Sequence, residues 1–579
     1  MGWYMKKLDS PAERLGEKVY VYFEGVYNRS SVYLNGQLLG ERPNGYVSFM
    51  YGATPYVNFG GENTLTVTVD HSRSADSRWY TGSGIYRDVW LVYANPVHIA
   101  QWGVYAYPAS ADARQGVLNV ETEVENGTSA GVRLTVVNEL YDPSGKRVAR
   151  SSKNATAGAN GSVFVNAELK VGKPQLWSIE NPALYTLRTI VLDGKKEIDR
   201  SETRTGFRTF TFDPDKGFAL NGQWMKVKGV CIHHDAGVLG SAVPREVWKR
   251  RLLTLKEIGC NAVRTRHNPQ APDLYELADE LGMLVLDEAY DEWEFPKRKW
   301  IEGWNVGTPG FEGSYDFFAE WGERDLADIV RRDRNHISVF AWSIGNEVDY
   351  PNDPYSHPSL DGDGDFTQAT FGGYRPDAPD ADRLGDIAKR LAAVVRKYDM
   401  SRPVTAGLAG VVMSNHTEYP FALDIAGYNY TEGRYIIDHE KYPDRVIYGS
   451  ENRHDKPAWD AVTENEHIFG QFLWTGIDYL GESGSWPSRG FYSGLLDFGG
   501  YIKPRGYFRQ SLWSGKPMAY LGTYPTPGKG YRSNMNDVWS QLEAKDEGEG
   551  YVERTPSMDA WPVWNYSEGQ AVRVVCYTN

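Results

Sequence analysis

Two glutamates stand where strand-like runs stop. Glu347 closes VFAWSIGNEVDY, residues 339–350, in which alternating apolar and aromatic residues read as a buried strand that ends at Gly345-Asn346-Glu347. Glu451 closes RVIYGSE, residues 445–451, a second short apolar strand with small residues just before its carboxylate. In a barrel of parallel strands the carboxyl ends form the catalytic face, so carboxylates far apart in sequence meet there. Such a pair suits cleavage of a glycosidic bond, one carboxyl protonating the leaving oxygen and the other attacking the sugar carbon. Either glutamate alone reads equally well as a solvated residue at a loop start. The pair, in its surroundings, favours catalysis.

The elements that must position the pair follow from periodicity. After Gly206-Phe207-Arg208, strand-like runs alternate with helical ones. Eight strands are predicted: KVKGVCIHH, AVRTRHN, LVLDEAYD, VFAWSIGNE, PVTAGL, LDIAGYNY, RVIYGSE and GQFLWTGIDY. Helices between them include REVWKRRLLTLKEIG and DRLGDIAKRLAAVVRKY, and eight such alternations over residues 208–515 make a (β/α)8 barrel. Two long excursions, residues 292–318 and 351–380, leave the third and fourth strands, and loops of that kind shape a substrate pocket or form a mobile insertion.

Ahead of the barrel, residues 1–96 carry short alternating strands such as VYVYFEGV and NTLTVTVD joined by Asn-Gly and Gly-Gly turns, a jelly-roll-like β-sandwich expected to be truncated at its N-terminal side because few strands precede Lys18. Residues 97–207 have the size and strand spacing of an immunoglobulin-like sandwich. Residues 516–579 read as a linker and the start of a fourth β domain cut short at Asn579, because a lone hairpin cannot bury a core. Trp561, Val563 and Trp564 are then expected to lack part of their packing.

At 579 residues the chain exceeds a single core. Its net charge of -14 and pI near 5.4 argue against nucleic acid as a partner. The aromatic fraction of 13% suits a carbohydrate binder and equally a β-rich chain. Cys231, Cys260 and Cys576 have no metal-ligand spacing and imply no disulfide framework. No run is apolar enough to span a membrane, and MGWYMKKLDSPAERLG lacks the apolar core of a signal peptide.

The order of sandwich, immunoglobulin-like domain, barrel and further β segment resembles glycoside hydrolase family two, which contains β-galactosidases, β-glucuronidases and β-mannosidases. The resemblance covers nearly the whole chain and rests on YTGSGIYRDVWL, AVRTRHNP, LVLDEAYDEW, WSIGNE, GYNY, YGSE and GQFLWTGIDYLGE. It implies that Glu347 is the general acid/base and Glu451 the nucleophile of a retaining double displacement. It also implies that Arg264 and Tyr430 attend the nucleophile, that Asn346 meets the hydroxyl beside the anomeric carbon, and that the first sandwich is sugar-binding-like. His267 and Trp474 look like sugar-pocket residues, the alternatives being a histidine bonded to a loop carbonyl and a core aromatic. Asp287 and Glu288 are expected to line the pocket or hold it by hydrogen bonds. On physical grounds Glu347 must keep a proton at neutral pH, while Glu451 needs donors that keep it ionised.

Some β-galactosidases of the family hold a magnesium beside the acid/base. In DEAYDEWE, Glu292 fits the carboxylate position, but Glu294 stands where a histidine would be, so no cofactor is required and a divalent or monovalent cation at Glu292 is left open. β-Glucuronidases hold the sugar carboxylate with an Asn-and-Lys signature. GLLDFGGYIKPRGYF offers Lys503 without that pair, which favours a neutral sugar. WPSRGFYSGLLD, GYNYTEGRY and YGSENRH look most like the β-galactosidase branch of polysaccharide-degrading bacteria. The expected activity is therefore a retaining exo-β-galactosidase acting on the end of a β-galactoside oligosaccharide or polysaccharide. The alternatives are a glycosidase for another neutral or modified β-sugar, such as a β-mannoside or algal galactan oligosaccharide, and a non-catalytic carbohydrate-binding protein. The resemblance favours a periplasmic or secreted bacterial enzyme with the cytoplasm left open, and a homo-oligomer is likewise left open.

Overall fold

In the computed structural model of the chain, residues 1–73, 75–304, 306–361, 372–525, 529–530, 545–546 and 557–579 are described. Among them, eight parallel strands close into a barrel in sequence order: Val227–Ile232, Ala262–Thr265, Leu284–Glu288, Val339–Asn346, Val404–Leu408, Ile425–Asn429, Val446–Asn452 and Ile468–Leu473. The eighth pairs with the first, Val227 opposite Gly470, which closes the ring. Nearly every residue of these strands is buried, as expected for a parallel sheet covered on both faces, and this is why they read as continuous apolar runs.

The covering helices show the complementary pattern. Arg383–Tyr398 buries Leu384, Ile387, Ala388, Leu391, Ala392 and Val395 along one stripe. Arg245–Ile258 follows Pro244 and stops at Gly259, whose φ of 99° is left-handed and whose added Cβ would lie 2.8 Å from the Trp513 backbone. The alternation weakens after the fifth strand, where the four-residue helix Val411–Ser414 and the single 3-10 turn Pro420–Ala422 form. Asp349, just past the fourth strand, accepts bonds from Ala409 N, Gly410 N and Ser414 Oγ and so fixes this short link in place of a full helix.

The amino ends of the barrel strands are closed by a hairpin sheet, Phe210–Asp213, Gly217–Leu220 and Gln223–Met225. Phe212 and Phe218 pack there on Phe340 and Phe469, residues near the starts of the fourth and eighth strands. This leaves the opposite mouth for chemistry.

The first sandwich sets a four-stranded sheet, in the order Gly2–Asp9, Glu62–Val69, Ser30–Leu34, Gln37–Arg42, against Phe49–Gly52, Lys18–Phe23 and Val89–Ala94. Its core includes Val21, Phe23, Val32, Phe49 and Val67. It docks on the barrel through Arg42, which reaches Asp325 at 2.5 Å and Asp328 at 2.8 Å on the helix Tyr315–Asp333. The second sandwich pairs Val97–Ala111, Gln115–Asn126 and Gly161–Gly172 in one sheet and Arg147–Ala157, Val132–Tyr141, Tyr185–Asp193 and Lys196–Thr205 in the other. Gln115–Asn126 buries every second residue, the period of a strand with one face on a core.

At the C-terminal end, Ala519–Pro525 pairs with Val572–Thr578. Tyr524, Ala560, Val575 and Tyr577 pack on Tyr507 and Phe508 of the barrel helix Pro504–Trp513, and Arg505 grips Asp559 with two bonds of 2.7 Å. Val563 and Trp564 are 52% and 71% exposed, and Trp561 is half-buried with its carbonyl bonded to Thr523 N. Of the two excursions, the first forms the short hairpin of Lys299–Trp300 with Pro309–Gly310, and residues 362–371 of the second lie outside the described residues. Among the described residues no helix is long and apolar enough to cross a membrane.

Candidate active site

Glu347 and Glu451 both emerge at the open mouth, at the ends of the fourth and seventh strands. Glu347 adopts a left-handed backbone, φ 47°, as does Tyr430 at φ 55° after the sixth strand. Such strained turns at strand ends re-aim a side chain and concentrate at functional sites. Glu347 N donates to Gly407 O at 2.7 Å, which ties the turn to the fifth strand.

A hydrogen-bond chain joins the two carboxylates across four strands. Asn429 Nδ2 donates to Glu347 Oε1 at 3.1 Å and to Asn346 Oδ1 at 3.2 Å. Arg264 donates to the same Asn346 Oδ1 at 2.9 Å and to Glu451 Oε1 at 3.1 Å. Arg264 also binds Glu288 Oε2 at 2.7 and 2.9 Å and the Ser450 carbonyl at 2.6 Å, so every part of its guanidinium is engaged. Tyr430 bonds Glu451 through its hydroxyl, and burial, then the charge of Glu451, push this phenol far up, keeping it a donor.

His267 is held by Glu288, whose Oε1 lies 2.6 Å from Nδ1. With the Nδ1 proton given to that carboxylate, Nε2 accepts from Asn346 Nδ2 at 3.1 Å. Burial brings the His267 imidazole down to about 3 against the pull of Glu288, so the ring is neutral. Trp474 stacks on it at 5.6 Å between centroids and Trp79 lies 5.5 Å away on a tilted plane. His267 is therefore bonded to side chains rather than to a loop carbonyl.

Burial opposes the charge of Glu288, but Arg264 and His267 outweigh it and hold the carboxyl below its usual range. Glu288 is fully buried beneath the site and fixes the groups above it without lining the pocket. Asp287 does not reach the pocket at all. Strand side chains alternate, so Asp287 points outward, where Tyr275 on the helix Pro272–Leu281 donates to it at 2.7 Å and Thr265 at 3.1 Å.

Glu451 differs from the expectation that its donors keep it ionised. Burial pushes its carboxyl up to about 8, the charge of Glu347 adding to the effect and Arg264 opposing it. Both carboxyls sit in one buried site, where the charge of Glu347 disfavours ionisation of Glu451.

Two groups were not singled out in the sequence. Asp291 accepts from Asn346 Nδ2 at 3.0 Å, Lys297 Nζ at 2.9 Å and Arg78 at 2.6 Å. Burial opposes its charge, and Arg78 and Lys297 overcome this to hold it well below the usual range. Arg78 comes from the first sandwich and also stands 3.7 Å from Glu347 Oε2. Asp291 sits in the DEAYDEWE run already noted, one residue before Glu292, whereas nothing local marks Arg78.

The residues do not fit a cation at Glu292. Lys299 forms a close ion pair with its Oε2, and Ser314 Oγ and Tyr315 N donate to Oε1. Glu292 thus starts the helix Tyr315–Asp333 with its charge already matched by a lysine. Glu294 is taken by Arg383 at 2.7 and 2.9 Å. Among the described residues no group of three or more His, Cys, Asp or Glu side chains converges as a metal site.

Residues 1–96 match the family described as "Glycosyl hydrolases family 2, sugar binding domain", residues 97–208 match "Glycosyl hydrolases family 2", and residues 214–432 match "Glycosyl hydrolases family 2, TIM barrel domain". The chain is 36% identical over 609 residues to beta-galactosidase BoGH2A of Bacteroides ovatus, which covers 95% of this chain and 69% of that protein. It is 32% identical over 583 residues to a putative beta-glucuronidase of Formosa agariphila, covering 94% of this chain and 53% of that protein. Among solved structures, a glycosyl hydrolase family 2 member from Bacteroides cellulosilyticus superposes with a TM-score of 0.81 at 31% identity, over 100% of this chain and 69% of that one. A Bacteroides uniformis beta-glucuronidase gives 0.74 at 26% identity, over 90% and 64%.

Proposed function

The chain belongs to glycoside hydrolase family two and is a glycoside hydrolase, and from that premise we propose that it removes terminal β-galactosyl residues from glycans with retention of configuration. The observation that carries this reading is the pair of strand-end glutamates, Glu347 and Glu451, joined through Asn429, Asn346 and Arg264.

In this mechanism Glu347 supplies the acid proton when a glycoside is bound, and Glu451 is the free carboxylate. Arg264 and Tyr430 turn their hydrogens on Glu451 and aim it at the anomeric carbon. Glu347 protonates the leaving oxygen as Glu451 attacks, which leaves a covalent glycosyl-enzyme. Glu347, now ionised, takes a proton from water, and the water releases the sugar from Glu451. The second inversion restores the starting configuration. The Asn346 side chain is fixed by partners on both of its amide atoms, which suits a group that grips the hydroxyl beside the anomeric carbon. Trp474 and His267 form a wall against which a sugar ring can lie.

A neutral glycone is favoured by the state of Lys503. Its ammonium is buried and bound to Asp478 at 2.9 and 3.2 Å and to the Tyr492 carbonyl at 2.7 Å, so it offers no free charge to a sugar carboxylate. The relative named beta-galactosidase supports the same choice. A β-glucuronidase is the second reading, favoured by the name of the Formosa relative and by Arg266, a buried cation lying across the Trp474 ring. A panel of 4-nitrophenyl β-glycosides separates them. The galactoside is expected to exceed the glucuronide at least tenfold in kcat/KM, because an unpaired buried carboxylate costs more than about 1.4 kcal/mol. Equal or faster turnover of the glucuronide overturns the choice of sugar.

A further inference from the structure

Beside the two glutamates a second cleft of about 450 Å³ opens between the first sandwich and the loops that follow the third and eighth barrel strands. Tyr80 from the sandwich, Trp300 and Trp304 from the third-strand loop, and Trp486 from the eighth-strand loop all line it. Trp486 is 79% exposed and Tyr80 43%, and the Arg489 guanidinium lies over the Trp486 ring.

The frame of this cleft is tied backbone to backbone. Tyr80 N donates to Leu480 O at 3.1 Å, Glu482 N to Arg78 O at 3.0 Å, and Trp304 N to Ser483 O at 2.5 Å. Gly303, at φ 143°, lets the third-strand loop pass so close to the eighth that an added Cβ would lie 2.8 Å from Gly484 O. Three loops from two domains are thereby locked into one cleft, with Tyr80 and Trp486 its exposed aromatic side chains.

We propose that this cleft binds the aglycone sugar, the pyranose attached through the scissile oxygen to the residue being removed. The proposal rests on the reading of Glu347 as the general acid. The acid must stand at the leaving oxygen, so whatever that oxygen carries departs over Glu347 rather than over Glu451. Arg78 belongs to both places. It lines the cleft and stands 3.7 Å from Glu347 Oε2, so the cleft begins where the leaving group must go. The lining also suits a saccharide. Pyranose rings present apolar C–H faces to aromatic planes and hydroxyls at their edges, and the cleft offers four tryptophans, Trp79 among them, and a tyrosine with Ser483, Ser488, Glu302 and Arg489 between them. Its volume falls within the range of about 300–1,000 Å³ usual for small-molecule sites. The substrate class is accordingly a β-linked oligosaccharide, read at two sugars instead of one.

The test compares two substrates with the same glycone. β-Galactosyl fluoride has a single-atom leaving group that cannot reach the cleft, whereas β-linked galactosyl disaccharides of different linkage must place their second sugar there. In Trp486→Ala and in Trp304→Ala, the ratio of kcat/KM for the best disaccharide to that for the fluoride is expected to fall about tenfold from the wild-type ratio. Turnover of the fluoride reports on folding, and the ratio cancels any loss common to both substrates. A fall of less than threefold in both variants overturns the proposal, as does a wild-type enzyme that cleaves the fluoride and none of the disaccharides. Failure of the galactose reading shows separately, as a wild-type enzyme inactive on galactosyl fluoride. The same ratio is then measured with the glucuronosyl or mannosyl pair that the wild-type enzyme accepts.

Discussion

Replacing Glu347 with Gln removes one charge from the shared site and leaves its shape, and the effect on Glu451 can be worked out. Burial and the Glu347 charge together push Glu451 up to about 8, against Arg264. Two carboxylates of a retaining pair lie about 5.5 Å apart. At an effective dielectric of about 20, two unit charges at that distance interact by about 3 kcal/mol. Removing the Glu347 charge should therefore bring Glu451 down from about 8 towards the ordinary carboxylate range. The direction is fixed because losing a neighbouring negative charge eases ionisation of the remaining carboxyl. The assay is the pH dependence of kcat/KM. With the dinitrophenyl galactoside, which departs unprotonated, the wild-type enzyme should show an acid limb near 8 as Glu451 ionises. In Glu347→Gln, with the same substrate, that limb should move to lower pH. A limb that stays at 8 or above in the variant refutes the reasoning.

The remaining predictions concern the same groups. Glu451→Gln should lose several orders of magnitude on every substrate, whereas Glu347→Ala should still load Glu451 from an activated galactoside and be rescued by azide to the β-azide. A β-azide from the Glu451 variant, or an α-azide from the Glu347 variant, would mean that the two roles are exchanged. Arg264→Met leaves Glu288 and Glu451 buried without their cation, which should cost about 3–5 kcal/mol of stability and lower kcat/KM as well; a loss of kcat/KM below tenfold counts against its role at Glu451. Chelation should leave the rate within twofold, because Lys299 already neutralises Glu292, and a tenfold loss restored by magnesium would contradict this.

The barrel was legible because its strands are buried on both faces and therefore read as unbroken apolar runs, and Glu347 and Glu451 were legible because polarity returns sharply at the strand ends. The phenylalanine hairpin at 210–225 was not. Its role depends on Phe340 and Phe469, which are remote in sequence. Asp287 was misjudged because a five-residue strand, LVLDE, does not announce which of its last two carboxylates faces inward. Glu292 looked like a ligand for a cation, yet the cation is Lys299, seven residues on, brought back by a loop whose path has no periodic signal. Arg78 reaches Asp291 across 213 residues, and no local pattern could join them. The state of Glu451 was misjudged for a different reason. Its donors were visible in the sequence, but the depth of burial that outweighs them is a property of the packed barrel.

The arginine at the mouth has a bearing on how such proteins diversify. Arg78 and Trp79 belong to a loop of the first sandwich, and that sandwich is anchored to the barrel helix by Arg42 on Asp325 and Asp328. A lineage can therefore lengthen, shorten or exchange the sandwich loop around Arg78, and so change what overhangs Glu347, while the barrel strands that carry both glutamates stay as they are. Selection for a new glycan can act on one module while the proposed catalytic glutamates stay in another, and the anchoring arginine keeps the two in register through the change.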